Sequence, residues 1–155
     1  MIDYTFENIK NFQINDIKGI IKRAVSEVFK EVSFDKKYYL SILLTDNKGI
    51  KKINRKYRQV NQITNVLSFP YIENFDFNEK KKILLGDIAI SLEKILTESQ
   101  DQKKEFSEHL THMTVHSVLH LFGFTHEKKK DFNVMKNKEI SVLMRLSISS
   151  PYKNV

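Results

Sequence analysis

Cysteine is absent from the sequence, and proline and glycine are scarce, with two and four residues. Without cysteine, the chain has neither a disulfide framework nor a thiolate metal site. No apolar run approaches the roughly 18 residues of a membrane-spanning helix. The first residues carry early acids and no continuous apolar segment, unlike a signal peptide. We therefore expect no membrane association and a cytoplasmic location.

The chain also lacks internal repeats, low-complexity tracts and linkers rich in proline or glycine. Its 155 residues, of which 41% are hydrophobic, are enough for one domain with a real core. A domain of this size buries roughly two-thirds of its unfolded surface. We expect a single domain over residues 1–149, followed by a polar tail at residues 150–155.

The net charge of +7 has two interpretations. A basic chain can bind a polyanion such as nucleic acid. The abundance of Lys, Asn and Ile can instead reflect the composition of the source genome. Lys far outnumbers Arg, although phosphate-binding surfaces often use Arg. Charge alone therefore leaves nucleic-acid binding open.

Hydrophobic periodicity predicts a small mixed β-sheet covered by helices, an α+β arrangement with α/β character. Tyr57 and Phe132 are expected on the inner faces of their helices, and residues 71–82 form a charged loop. The predicted elements are strands at 2–6, 38–45, 65–69 and 83–90, and helices that begin at the capping residues Asn15 or Asp16, Asp46, Ser91, Ser107 and Asp131.

Residues 116–126, HSVLHLFGFTH, carry three of the five histidines. His116 and His120 lie one helical turn apart on one face, so both can bind one ion. His112 lies about 12 Å from His120 along the helix axis, too far to share that ion. Gly123 can end the helix in a left-handed conformation and turn His126 back toward the pair. This predicts a zincin-like metal-binding helix and a three-histidine site with an open fourth position.

The spacing matches the H-E-x-x-H-x-x-G-x-x-H signature of zinc proteases except for the acid, which here is Ser117. A serine is no base at neutral pH, so the protease mechanism lacks its proton acceptor. A lone histidine at these positions would more often be a core or surface residue. We expect His112 to pack behind the site and His109 to be a solvated surface residue.

A phosphodiester substrate requires a cation to offset charge in the transition state. The sequence has four arginines. Among them, Arg58 lies at a predicted helix end before a polar loop, a good position for a functional group. From the residues alone, a surface arginine is the more common case.

Three blocks of the chain together resemble the YbeY family, the bacterial rRNA-maturation endoribonucleases. They are INRKYRQVNQITNVLSFP at 53–70, LLGDIAIS at 84–91 and HMTVHSVLHLFGFTHE at 112–127. They occur in the family's order and span much of the chain from residue 53 to residue 127. The N-terminal third and the last helix add only general agreement.

The resemblance implies a single-domain, metal-dependent α/β fold with one zinc ion per chain. It implies that His116, His120 and His126 bind the zinc and that Arg58 is functionally important. It implies a single-strand-specific endoribonuclease that matures the 3′ end of small-subunit rRNA and takes part in ribosome quality control. Its partners would be ribosomal RNA and ribosomal or ribosome-assembly proteins.

Two residues depart from the family pattern. Ser117 replaces a glycine and would add a side chain beside the metal. Thr125 replaces an aspartate that could orient His126 or adjust the charge of the site. Three lysines follow the last histidine and could hold RNA phosphates near the metal. They are Lys128, Lys129 and Lys130.

Two other functions remain open from the residues. A metal-dependent hydrolase of another substrate, such as a peptide, is disfavoured by Ser117. A ribosome-biogenesis factor with a purely structural metal is disfavoured by the open fourth position, since structural zinc usually has four protein ligands.

Overall fold

The predicted order of strands and helices is confirmed in the computed structural model, which describes residues 1–71, 82–125 and 127–152. The predicted strand at 38–45 has the observed bounds, and most other predicted boundaries lie within a few residues of the observed ones. In chain order the elements are β1 (Ile2–Phe6), α1 (Ile14–Glu31), β2 (Tyr38–Thr45), α2 (Asn47–Arg58), β3 (Val66–Pro70), β4 (Ile83–Ser91), α3 (Leu92–Asp101), α4 (Phe106–Leu121) and α5 (Lys129–Arg145).

The four strands form one mixed sheet in the order β1-β2-β4-β3. Strands β1, β2 and β4 are parallel, and β3 pairs antiparallel with β4 at the edge. Parallel neighbours need a crossover connection, which α1 supplies between β1 and β2. The mixed sheet and its helices confirm the α+β prediction.

The apolar face of the sheet packs against a layer of helices with α4 at its centre. Leu40, Ile42 and Leu44 alternate along β2, and all three are fully buried. Helix α4 contacts α1, α3 and α5 as well as β3 and β4, and it buries Val118 and Leu119 completely. The helix that carries the histidines is therefore held on several sides, which makes it a rigid support for a site.

Gly86 allows the end of α4 and strand β3 to approach β4 closely. Its φ of +149° is rare for residues with a side chain. An added Cβ would lie 2.3 Å from the carbonyl oxygen of Phe69 and 2.9 Å from Cδ2 of Leu121. The Leu121 side chain could move aside, but the backbone carbonyl of Phe69 could not without disrupting β3, so glycine is favoured where these three elements meet.

Of the five predicted helix caps, Asp46 and Ser91 are confirmed, whereas the cap at Asn15 or Asp16 was wrong because Gln13 precedes the first residue of α1. Asp46 accepts a hydrogen bond from the Gly49 amide at 2.8 Å, and Ser91 accepts one from the Lys94 amide at 3.1 Å. The other two predictions were wrong, because α4 begins at Phe106 and α5 begins at Lys129. Ser107 and Asp131 therefore lie inside the first turns, where an acid such as Asp131 still interacts favourably with the helix dipole.

The predicted inner positions of two aromatic residues were also wrong. Tyr57 is 57% exposed and Phe132 is 37% exposed. Each ring instead packs edge-on at the border of its helix, against Phe69 at 5.7 Å and against Tyr152 at 6.2 Å between centroids. Such rings cover a neighbour without entering the core.

Of the loop expected at residues 71–82, residues 72–81 lie outside the described part of the chain. Among the residues described, no helix has the length and apolar character that crossing a membrane requires.

Candidate active site

A cleft of about 960 Å³ opens between the second half of α4, the end of α2 and strand β3. Both polar and apolar side chains line it. The lining residues are Asn54, Arg58, Val60, Asn65, Val66, Leu67, Ser68, Pro70, Met113, His116, His120, Gly123, Phe124, Thr125 and Glu127.

The structure brings His116 and His120 together in this cleft. Their Nε2 atoms are 3.0 Å apart, and the two rings are nearly perpendicular, with centroids 4.5 Å apart. The four-residue spacing on α4 accounts for the pairing, since residues i and i+4 lie on the same face. At this separation the two nitrogens share either a proton or a cation.

The geometry of the pair fits a zinc ion. Two nitrogens at about 2.0–2.1 Å from a tetrahedral zinc are separated by roughly 3.3 Å, close to the 3.0 Å observed. Imidazole is also a favoured ligand type for zinc, and equally for nickel, copper and iron. The pair therefore suits a divalent transition metal.

Glu139 of α5 supports the pair from behind. Its side chain is only 1% exposed, and it accepts a hydrogen bond from Nδ1 of His116 and another from the hydroxyl of Tyr152. Nε2 of His112 lies 3.5 Å from Oε2 of Glu139, the oxygen that also accepts the bond from Tyr152. The bond at Nδ1 directs the Nε2 lone pair of His116 toward His120.

The charge state of this cluster follows from its contacts. Burial alone would raise the pKa of Glu139, but the contacts from His112, His116 and Tyr152 outweigh it and lower the pKa to about 2. Burial and the bond to Glu139 both raise the pKa of the Tyr152 hydroxyl. At neutral pH, Glu139 is therefore a carboxylate and Tyr152 a neutral donor.

The turn predicted at Gly123 is confirmed. Its φ is +94°, its amide donates to the carbonyl of His120 at 3.0 Å, and the Phe124 amide donates to that of Leu119 at 3.2 Å. This is a Schellman motif with glycine at the left-handed position. The chain then runs through Thr125, which lines the cleft.

His126, the predicted third ligand, lies outside the described residues. Within residues 1–71, 82–125 and 127–152, no group of three His, Cys, Asp or Glu side chains is arranged to hold a metal. The three-histidine ligand set thus stays a prediction, of which the structure positions His116 and His120.

Arg58 lies in the same cleft, at the last residue of α2. Its Nη2 donates a hydrogen bond to the carbonyl oxygen of Ser68 at 2.8 Å, and its guanidinium lies 4.9 Å from the ring centroid of Phe69. These two contacts with β3 orient a side chain that is otherwise exposed. Arg58 therefore lines the cleft that also holds His116 and His120.

The lysines after the last histidine are exposed, and α5 begins among them. Lys128 is the N-cap of α5, and Lys129 and Lys130 occupy its first turn. Among the described residues, the cleft lining includes the neighbouring Glu127 but none of these three lysines. We therefore expect these lysines to contact phosphates beside the cleft and not inside it.

The expectation that Ser117 adds a side chain to the cleft was wrong. Ser117 is fully buried and does not line the cleft. One residue along a helix is a rotation of about 100°, which turns Ser117 from the cleft face of His116 into the core. Its hydroxyl has no hydrogen-bond partner among the described residues.

The two histidines at the start of α4 are both away from solvent. His112 is 12% exposed and lies against Glu139, as expected for a residue behind the ligands. The expectation that His109 is solvated was wrong, because it is 4% exposed and its Nε2 lies 3.0 Å from Oε1 of Glu98. Burial lowers its pKa more than the contact with Glu98 raises it.

Sequence reasoning missed Glu139 and Tyr152. One signal was available for Glu139, because it interrupts the apolar stripe of Met135, Val142 and Leu143 that faces the core. An acid at such a position needs a buried partner. Nothing in the short segment around Tyr152 indicated that its hydroxyl reaches the site.

Fold and site together define a class of small α+β proteins in which a histidine-lined cleft lies beside a central helix and an antiparallel edge strand. The family model described as Endoribonuclease YbeY matches residues 3–147. The chain belongs to this family.

Individual relatives agree. Endoribonuclease YbeY of Bartonella quintana (strain Toulouse) is 35% identical over 152 residues, covering 97% of this chain and 96% of that protein. The protein of the same name from Bartonella henselae is 37% identical over 135 residues, covering 86% and 85%. A solution structure of a Thermotoga maritima protein has a TM-score of 0.58 at 22% identity and covers 99% of this chain and 100% of that one. That likeness supports the fold alone.

Proposed function

We propose that this chain is a metal-dependent endoribonuclease that cuts single-stranded RNA, with one zinc ion per chain. The observation that carries the proposal is the His116–His120 pair, with 3.0 Å between its nitrogens, in a cleft that Arg58 also lines. The name endoribonuclease, which the family and both Bartonella relatives carry, supports the reaction class.

His116 and His120 would hold the metal, with His126 as the third ligand. When bound, such a metal lowers the pKa of a coordinated water toward neutrality and offsets charge on a phosphate oxygen. Imidazole ligands are neutral, so the full charge of the ion remains available to a polyanionic substrate.

Arg58 would bind the phosphate at the cleavage point. A guanidinium can donate two parallel hydrogen bonds to a phosphate and offset charge that develops in the transition state. The bond to the Ser68 carbonyl and the contact with the Phe69 ring hold the side chain in place before substrate arrives. Less ordering is then required on binding.

Glu127 supplies a carboxylate on the lining of the cleft, where it is exposed. It would accept a proton from the attacking hydroxyl, the task that Ser117 cannot perform. The lysines at residues 128–130 would attract the phosphates on either side of the cleavage point, helped by the positive end of the α5 dipole.

The proposed substrate is ribosomal RNA, with cleavage at the 3′ end of the small-subunit rRNA and a role in ribosome quality control. The net charge of +7 suits an RNA partner. A cytoplasmic location and ribosomal or ribosome-assembly proteins as partners belong to the same proposal.

Cleavage of a single-stranded RNA oligonucleotide by purified variants tests the proposal. We expect His120→Ala and Arg58→Ala each to lower the cleavage rate by about 100-fold or more, as for the loss of one charge-stabilising group. His120→Ala should also lower the bound metal, while Arg58→Ala should retain it. Products that end in a 2′,3′-cyclic phosphate would identify the RNA 2′-hydroxyl as the nucleophile.

Arg55→Ala is the matched control. Arg55 is exposed on the same helix and is not part of the cleft lining, so its loss should leave the rate nearly unchanged. Intact RNA with metal-loaded wild-type protein would contradict the proposal and favour a non-catalytic role in ribosome assembly. Peptide cleavage that survives Arg58→Ala would favour a hydrolase of another substrate.

A further inference from the structure

Glu139 is a carboxylate in a position where the sequence pattern calls for an apolar residue. On α5 it lies between the buried residues Met135 and Val142, and its own side chain is 1% exposed. A buried carboxylate costs several kcal/mol of desolvation unless its partners compensate. Replacing a whole buried cluster of this kind by apolar side chains is often neutral or stabilising, so packing alone does not explain the glutamate.

The partners of Glu139 all belong to the site or to the segment after α5. One carboxylate oxygen accepts the Nδ1 proton of His116, and the other accepts the hydroxyl proton of Tyr152. The Tyr152 ring also lies 6.0 Å from the ring of His112 and 6.2 Å from that of Phe132. The carboxylate is thus fixed on both sides.

This arrangement decides which nitrogen of His116 is available to a metal. With its proton on Nδ1, His116 presents the Nε2 lone pair to the cleft, 3.0 Å from Nε2 of His120. A carboxylate behind a metal-binding histidine fixes the ring and increases its basicity, and its loss typically costs 10–100-fold in metal affinity.

We propose that Glu139 is the positioning residue for His116 and that Tyr152 holds Glu139 in place, so that the segment after α5 completes the metal site. This rests on the proposed function only in taking His116 as a metal ligand. Glu139 does not reach the cleft surface, so its effect passes through the imidazole.

Zinc affinity and metal-free stability of the same variants test this proposal. Glu139→Gln keeps the shape and a hydrogen-bond acceptor but removes the charge. We expect the folded protein to bind zinc about 10–100-fold more weakly in chelator competition, beyond any change in the unfolding midpoint of the metal-free protein. A structural role would instead lower the midpoint and leave the affinity of the folded fraction unchanged.

Tyr152→Phe provides a second route if Glu139→Gln does not fold. It retains the ring contacts with His112 and Phe132 and removes only the hydroxyl. We expect zinc affinity to fall several-fold, in the same direction as for Glu139→Gln and by a smaller factor. Failure of both variants to fold without metal would make Glu139 a structural residue and overturn the proposal.

Two matched controls test whether the loss of any glutamate charge or of any tyrosine hydrogen bond weakens zinc binding. Glu98→Gln alters the carboxylate beside His109, which is not a predicted ligand. Tyr39→Phe removes a tyrosine bond to Asp3. Both should leave zinc affinity unchanged.

The outcome is separable from that of the proposed function. If His116→Ala and His120→Ala do not weaken zinc binding, the proposed metal site fails, and this inference fails with it. If the two alanine variants bind zinc more weakly but Glu139→Gln and Tyr152→Phe bind it like wild type, the proposed metal site is supported. Only the inference about Glu139 and Tyr152 is then overturned.

Discussion

The histidines of α4 carry the same imidazole group but lie in different surroundings, and these surroundings determine the chemistry of each ring. His109 is buried beside Glu98, which favours a neutral ring that donates from Nε2. His116 has a carboxylate at Nδ1 instead, so its Nε2 is directed toward His120. A helix that carries histidines at three- and four-residue spacings therefore places only some of them in the cleft.

The buried pair of His109 and Glu98 predicts a pH-dependent contribution to stability. Burial lowers the pKa of His109 below its usual 6.5, so the unfolded chain binds more protons as the pH falls. The free energy of unfolding therefore decreases below about pH 6.5. His109→Gln removes this titration. The free energy of unfolding of wild type, relative to that of the variant, should therefore decrease as the pH falls from about 7 to 5.5.

Urea unfolding of the two metal-free proteins at several pH values measures this difference. Parallel stability curves for wild type and His109→Gln over the whole range would show that His109 titrates alike in the folded and unfolded states. The buried position of the ring would then have no electrostatic consequence.

Ser117 predicts a gain in stability when its hydroxyl is removed. The hydroxyl is fully buried and has no partner among the described residues. Ser117→Ala should raise the free energy of unfolding by about 1 kcal/mol, because an unsatisfied polar group is lost and alanine favours the helix. Ser99→Ala is the control, since Ser99 is equally buried but donates to the Leu96 carbonyl at 2.7 Å.

The expected order is a more stable Ser117→Ala and an unchanged or less stable Ser99→Ala, both measured by urea unfolding. A Ser117→Ala variant that loses stability or zinc affinity would mean that the hydroxyl has a partner in the folded protein.

At the scale of elements, the end of α4 shapes one side of the site. The Schellman turn at Gly123 ends the helix directly after His120 and leads the chain along the cleft. The sequence predicted this turn from one glycine at the right offset. It did not predict where α4 and α5 begin, because serine and aspartate are common both as caps and in the first turn.

Gly123→Ala tests the turn. An added Cβ would meet no atom of the described residues within 4 Å, so the expected cost is that of the left-handed backbone. We expect the free energy of unfolding to fall by about 1–2 kcal/mol. Gly19→Ala is the opposite control, because Gly19 lies inside α1 with room for a methyl group, and alanine there should stabilise the protein by up to about 1 kcal/mol. Equal effects of the two changes would contradict the assigned conformation of Gly123.

At the scale of the whole molecule, the site joins parts of the chain that are distant in sequence. Hydrophobic periodicity predicted the elements and most of their buried positions, and the histidine spacing predicted the His116–His120 pair. Periodicity does not say which elements become neighbours, so the strand order and the contact of Glu139 with His116, 23 residues away, were not predictable. The position of Arg58 at a helix end before a polar loop made it a candidate, but only the family resemblance assigned it a function.

Cleavage of single-stranded RNA by the protein before and after metal removal tests the central claim most directly. Chelator-treated protein should be folded but inactive, and about one equivalent of zinc per chain should restore cleavage. Restored activity at this stoichiometry, absent from His120→Ala, would support a metal centre built on α4. Full cleavage by metal-free protein would contradict the account.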